Sequence, residues 1–184
     1  MFKGQKCLVI GSGISGVGAV SMLGHMGADI TLFDGGDKIT QEELEAKVPQ
    51  GVQAKCYVRQ LPEELLSRIE VAVLSPGVPT DIPLVQELKT RGTRIIGEIE
   101  LGFLAEQGRV AAITGTNGKT TTTTLVGEIM KRHFETSFVM GNIGYPYADI
   151  AERTTKHSVT VGEISSFQLE TTESFHPRVS AVLK

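Results

Sequence analysis

Short apolar runs alternate along the chain with longer mixed stretches of helical character, a pattern that predicts a parallel α/β sheet. The first run, Lys6 to Ile10, enters a glycine turn and then a predicted helix from about Ile14 to Met26, which Gly27 is placed to end. A second strand over Asp29 to Phe33 stops at Asp34-Gly35-Gly36. Further on, a helix is expected over Gln41 to Lys47, a strand near Ala54 to Val58, and a helix opened by Pro62 as its first residue, where the missing N–H costs little. Val71 to Leu74 reads as a buried strand ending at Ser75-Pro76-Gly77, followed by a helix over Pro83 to Arg91 and a strand over Arg94 to Ile96.

A second series begins near Gly97. It comprises a helix over Glu98 to Glu106, a strand over Val110 to Thr114 and a long helix over Gly118 to His133. Strands over Ser137 to Val139, Val159 to Glu163 and Val179 to Leu183 complete it. No repeat or long linker separates the series. The expected organisation is a Rossmann-like parallel-sheet domain over 1–97, then the first part of an α/β domain over 98–184. The last residues form a strand that ends at the edge where such sheets bind ligands. The second domain is therefore expected to be incomplete.

Composition narrows the field without choosing a function. The 184 residues are 40% hydrophobic and 21% charged, an ordinary globular mixture. A formal charge of −3 provides no basic footprint for nucleic acid. No apolar run approaches the roughly 20 residues that cross a bilayer, and the opening Met1-Phe2-Lys3-Gly4 offers no secretory signal. The two cysteines, Cys7 and Cys56, are far apart and inside predicted strands, which favours buried thiols in a reducing, cytoplasmic compartment. The four histidines are scattered and are read as surface or structural residues.

Two glycine motifs carry the chemistry. Gly11-Ser12-Gly13-Ile14-Ser15-Gly16 follows a strand and opens a helix, so backbone can approach a pyrophosphate that the helix N-terminus attracts. Asp34 lies about 20 residues on, where a dinucleotide fold places its ribose-binding acid. On these residues alone NAD or FAD is favoured, although any diphosphate-linked nucleoside suits the same physics.

The second motif is Gly115-Thr116-Asn117-Gly118-Lys119-Thr120, again between a strand and a helix. Its amides form an anion cradle, Lys119 can reach phosphates, and the Thr120 hydroxyl can ligate Mg²⁺. Ile113 stands where the strict P-loop spacing requires glycine, so the loop is a variant. Five threonines follow in a row; function is assigned to Thr120 and Thr121, while Thr122 to Thr124 are read as packing or solvated. Glu163, at the end of an apolar strand, suits the carboxylate that holds Mg²⁺ beside a P-loop, with a solvated strand-end acid as the alternative. Ser165-Ser166 can cap the next helix or touch phosphate, and Asn142 can bond a ligand or only its own turn.

Together with Gly97-Glu98-Ile99-Glu100, Gly141 to Gly144 and Glu163 to Glu170, these motifs resemble the Mur ligases of peptidoglycan synthesis, in family order along the whole chain. The final stretch resembles the D-glutamate-adding branch in particular. No histidine lies in the first glycine motif, unlike the alanine-adding branch.

The resemblance implies an ATP-dependent amide ligase that acts on UDP-N-acetylmuramoyl-L-alanine and D-glutamate through an acyl phosphate. It implies that ATP is held by Gly115, Thr116, Asn117, Gly118, Lys119, Thr120 and Thr121, with Lys119 and Glu163 catalytic and Thr120 and Glu163 on Mg²⁺. It places Gly13, Ile14, Ser15, Ser75, Pro76 and Gly77 around the uridine diphosphate, with Asn142 and Ser165 where the substrates meet. The first glycine motif is thereby expected to hold a UDP-sugar in place of a nicotinamide. Some relatives carry a hydroxyl and an arginine for uridine where this chain has Gly35-Gly36. The family's histidine metal ligand, carbamylated lysine and D-glutamate-binding domain would all fall after Lys184, so these residues are expected to bind substrates but not to ligate. A Rossmann oxidoreductase and a non-catalytic module made from a truncated ligase stand as alternatives.

Overall fold

A computed structural model describes residues 1–184. The chain divides between Glu98 and Ile99 into two compact units.

The first unit contains β1 (Lys6–Ile10), α1 (Ile14–His25), β2 (Asp29–Asp34), α2 (Gln41–Ala46), β3 (Ala54–Val58), α3 (Glu63–Leu66), β4 (Val71–Leu74), α4 (Pro83–Thr90) and β5 (Arg94–Gly97). Its strands lie in the order β3-β2-β1-β4-β5, all pairs parallel. Leu8, Ile10, Phe33, Ala72 and Leu74 from the strands pack with Leu66, Ile69, Val85 and Leu88 into one core. Burying each of the larger side chains contributes roughly 1.5–3 kcal/mol.

The local chemistry explains where helices stop. After α1, Gly27 N–H donates to Gly24 O and Ala28 N–H to Leu23 O, both at 3.0 Å. After α4, Gly92 N–H donates to Lys89 O and Thr93 N–H to Leu88 O, again at 3.0 Å. This double closure uses a glycine just past the helix to satisfy its last carbonyls. The next strand starts almost at once in both cases. Thr40 caps α2 in a reciprocal box, its hydroxyl accepting from Glu43 N–H while its own N–H donates to the Glu43 carboxylate.

In the second unit the elements are α5 (Glu98–Ala105), β6 (Arg109–Gly115), α6 (Lys119–Lys131), β7 (Thr136–Gly141), α7 (Tyr147–Ala151), β8 (Ser158–Glu163), α8 (Ser166–Leu169) and β9 (Val179–Leu183). These strands run β7-β8-β6-β9, also entirely parallel. All six residues of β8 are buried, as expected of an interior strand covered on both faces. Glu100, on α5, is fully buried and accepts N–H bonds from Glu173, Ser174 and Phe175, each at 3.0 Å, plus the Ser174 hydroxyl. It thereby ties down the segment that leads from α8 into β9.

Two expectations are corrected, and one helix is added. Pro62 is the N-cap of the single-turn α3 and not its first helical residue, because its extended backbone (ψ 135°) precedes the turn. The five-residue α7 was not expected; it is too short to display helical periodicity. Of the two cysteines only Cys7 is buried, since Cys56 sits on the edge strand β3 and is half-exposed. No helix is long and apolar enough to cross a membrane.

Candidate functional site

In the second unit, strand register assembles the site. Glu163 at the carboxyl end of β8 pairs with Ile113 on β6 and with Gly141 on β7. The glycine loop leaves β6 two residues beyond that pair, and Asn142 leaves β7 immediately after it. Both neighbours therefore converge on one carboxylate. The Thr120 hydroxyl donates to Glu163 Oε2 at 2.8 Å, and Asn142 Nδ2 donates to Oε1 at 3.1 Å. Asn142 N–H also donates to the Glu163 carbonyl at 2.9 Å, so both ends of the residue are held. Glu163 is 2% exposed.

The loop itself needs its glycines. Gly115 has φ +133°, and a Cβ there would lie 1.9 Å from Leu183 O. Backbone thus passes where no side chain fits, and Thr116 N–H closes the contact by donating to the same carbonyl at 3.0 Å. Gly118 is the N-cap of α6, without a side-chain cap. The uncapped first-turn amides of α6 and its dipole favour an anion at this end. Lys119 Nζ lies over the loop, donating to Gly115 O at 2.8 Å and Thr116 O at 3.4 Å. Thr116, Asn117, Gly118, Thr120 and Thr121 are exposed and reachable by a ligand. Further along, Thr123 is buried and Thr124 donates back to Thr120 O at 2.8 Å, so neither hydroxyl faces the loop.

The Thr120–Glu163 pair offers two hard oxygen donors side by side. No group of three or more His, Cys, Asp or Glu side chains forms a cage that could hold a metal alone. This donor set fits magnesium, which commonly binds one or two carboxylates and takes its other ligands from water and substrate phosphates. Ser165, two residues past Glu163, is the N-cap of α8: its hydroxyl accepts from Gln168 N–H at 3.3 Å and its own N–H donates to Gln168 Oε1 at 2.9 Å.

In the first unit, the glycine loop lies at the carboxyl edge between β1 and β4, where the strand order reverses. Ligands of open α/β sheets bind at such a switch point. Gly16 is obligatory, because a Cβ there would sit 1.9 Å from Gly11 O. Gly13 is the N-cap of α1, again with no side-chain cap and no acid in the first turn. Ile14 is 78% exposed beside it, and Ser15 is half-buried. At the end of β4, the Ser75 hydroxyl donates to Gly11 O at 3.0 Å, which fixes the loop from the neighbouring strand. Pro76 and Gly77 follow, both exposed.

Asp34 does something the sequence did not suggest. Its Oδ2 accepts both the Ser12 N–H (2.9 Å) and the Ser12 hydroxyl (2.5 Å), and its Oδ1 accepts Gly36 N–H (2.9 Å). Burial pushes its carboxyl upward, but these bonds and the nearby Lys47 charge outweigh that and hold it below the usual range. The acid at the dinucleotide position is therefore engaged by its own glycine loop. Lys47, just past α2, donates to Ser12 O at 3.0 Å and to Ser12 Oγ at 3.2 Å. Ser12, Gly13, Asp34, Gly36, Asp37, Lys38, Ile39 and Lys47 line an open cleft of about 500 Å³. Neither Lys47 nor Ser12 carried any signal in the sequence beyond a helix end and a loop position.

Comparison with known proteins identifies the family. The family description "Mur ligase MurD-like, N-terminal domain" matches residues 5–97, and "Mur ligase middle domain" matches residues 113–182. The UDP-N-acetylmuramoylalanine–D-glutamate ligase of Lachnoclostridium phytofermentans is 51% identical over 182 residues, covering 99% of this chain and 40% of that protein. The protein of the same name from Alkaliphilus metalliredigens is 45% identical over 183 residues, covering 98% of the chain and 40% of that protein. The chain thus spans about 40% of the length of these curated relatives. Among solved structures, a murein peptide ligase from Psychrobacter arcticus superposes with a TM-score of 0.53 at 15% identity, over 98% of this chain and 44% of that one. At that identity the likeness concerns the fold alone.

Proposed function

The chain belongs to the Mur ligase family, and we propose that it carries the nucleotide-handling part of an ATP-dependent ligase joining D-glutamate to UDP-N-acetylmuramoyl-L-alanine in the cytoplasm. The observation that carries this reading is the convergence of Thr120 and Asn142 on the buried carboxylate of Glu163, at the mouth of a glycine loop followed by Lys119. The choice of D-glutamate and of the UDP-sugar is supported by the names of relatives such as the one at 51% identity.

On this reading the loop amides from Gly115 to Gly118 and the start of α6, with Thr120 and Thr121, receive the phosphates of ATP. Lys119, now bonded to loop carbonyls, swings to the terminal phosphate and offsets charge that grows during transfer. Thr120 and Glu163 would hold Mg²⁺, which supplies charge neutralisation of the phosphates when bound. Asn142 keeps the Glu163 carboxylate oriented, and Ser165 stands at the next helix start beside it. Gly13, Ile14 and Ser15 at the start of α1, with Ser75 to Gly77 at the end of β4, form the cradle proposed for the uridine diphosphate. The terminal phosphoryl group of ATP passes to the substrate carboxylate with release of ADP. The D-glutamate amine then displaces phosphate from the acyl phosphate to form the amide. None of the residues described is assigned to D-glutamate.

Calorimetric titration of the chain with UDP-N-acetylmuramoyl-L-alanine, and separately with ATP and Mg²⁺, tests the proposal. Saturable heat is expected for both ligands. No binding of the UDP-sugar at millimolar concentration would overturn the reading of the first unit.

A further inference from the structure

Lys47 occupies an unusual place for a residue at the exposed end of a short helix. Its ammonium carries three donors. Two contacts go to Ser12, one to the carbonyl and one to the hydroxyl that itself donates to Asp34. The relay Lys47–Ser12–Asp34 thus binds the first glycine loop from outside the sheet and leaves ammonium capacity toward the cleft that all three residues line.

The electrostatics give the arrangement a purpose. Asp34 is held ionised directly against a glycine loop suited to polyphosphate, which by itself would repel such a ligand. The cleft's charged lining is two acids, Asp34 and Asp37, against two lysines, Lys38 and Lys47, so it is formally neutral. Removing Lys47 leaves one uncompensated negative charge beside the α1 N-terminus. We infer that Lys47 is a ligand-binding residue that donates to the diphosphate of a nucleotide held in this cleft and cancels the field of Asp34. The inference rests on the proposed nucleotide-diphosphate reading of the first unit and adds to it a specificity element for charged over uncharged nucleosides.

The test compares UDP and uridine as calorimetric ligands for the parent chain, Lys47→Met and Lys47→Arg, at low and high salt. Methionine keeps much of the apolar stem and removes the charge; arginine keeps the charge. Lys47→Met is expected to weaken UDP by about ten- to a hundredfold, the loss typical of one hydrogen bond to a charged group, while uridine binding changes little. The UDP loss should shrink at high salt because the cleft is open to screening ions, and Lys47→Arg should recover most of the affinity. If the parent binds UDP and Lys47→Met binds it within twofold, Lys47 is no ligand residue although the nucleotide reading survives. If UDP and uridine weaken together and the melting temperature falls, Lys47 is a strut of the loop and the inference is overturned. If the parent chain binds no UDP, the inference and the nucleotide reading fail together.

Discussion

Glu100→Gln provides a direct test of how the second unit is held together. Glu100 Oε2 accepts the N–H groups of Glu173 and Phe175, and Oε1 accepts those of Ser174, backbone and hydroxyl. Glutamine has nearly the same shape but only one acceptor oxygen. Turned the better way, the NH₂ group faces Ser174, whose hydroxyl can rotate to accept from it while the Ser174 N–H is left without an acceptor. A hydrogen bond to a charged group contributes about 1.5–3 kcal/mol, so leaving one N–H unpaired in a fully buried position and removing the charge from the others should cost roughly 2 kcal/mol or more. That is a large fraction of a typical domain stability of about 5–15 kcal/mol. Urea unfolding followed by circular dichroism measures the loss, and amide exchange at Glu173 to Phe175 should accelerate with it. The pH dependence gives an independent reading. Burial pushes the Glu100 carboxyl up, but the Ser174 hydroxyl and three N–H donors outweigh it and hold the group below its ordinary value of 4.5. A carboxyl lowered in the fold contributes stability that is present above its unfolded value and is lost as pH falls through the folded value. The parent should therefore lose stability below about pH 4.5, and Glu100→Gln should show a shallower loss there. A variant within 0.5 kcal/mol of the parent, on the order of a neutral surface change, with unchanged exchange at these amides, would refute the reasoning.

Two further outcomes follow from the glycine loops and the Glu163 cluster. Gly16→Ala places a methyl group 1.9 Å from Gly11 O, with Ser75 Oγ at 2.7 Å, so α1 must move off the sheet; thermal unfolding should report a loss of about 3 kcal/mol or more, in the range of severe overpacking. Glu163→Gln keeps an acceptor for Thr120 or Asn142 but removes the charge, and the gain in ATP affinity on adding Mg²⁺ should fall by about tenfold or more in calorimetry while the far-ultraviolet spectrum is retained. An unchanged magnesium dependence would count against Thr120 and Glu163 as the metal pair.

How much of this was legible beforehand varies by feature. Strand positions in the first unit were readable because parallel strands covered by helices are continuous apolar runs bounded by glycine and proline. The loops after β1 and β6 announced themselves for the same physical reason that they are needed: only glycine fits where an added Cβ would lie 1.9 Å from a neighbouring carbonyl oxygen. Ser165-Ser166 could be read as a helix cap or a phosphate contact, and the reciprocal bonds between Ser165 and Gln168 show Ser165 as the cap. In contrast, α7 is too short to reveal a period. In the run from Thr120 to Thr124 the sequence set Thr120 and Thr121 apart by their place after Lys119, but which later hydroxyl packs and which meets solvent was not readable, since only the orientation of α6 against the sheet turns Thr123 inward.

By itself, the order of residues determined most of the element types and the two glycine loops, because each depends on interactions spanning a few neighbouring positions, and its motifs together pointed to the family. The three-dimensional fold alone decided which distant groups meet. Glu163 finds Thr120 and Asn142 because parallel pairing puts β6, β8 and β7 side by side in a register that no local pattern encodes. Asp34 is withdrawn into the glycine loop, and Lys47 is brought to its edge, by contacts that span 22 and 35 positions of chain. Such pairings arise from packing whole elements against one another, so their signal exists only once the sheet is assembled.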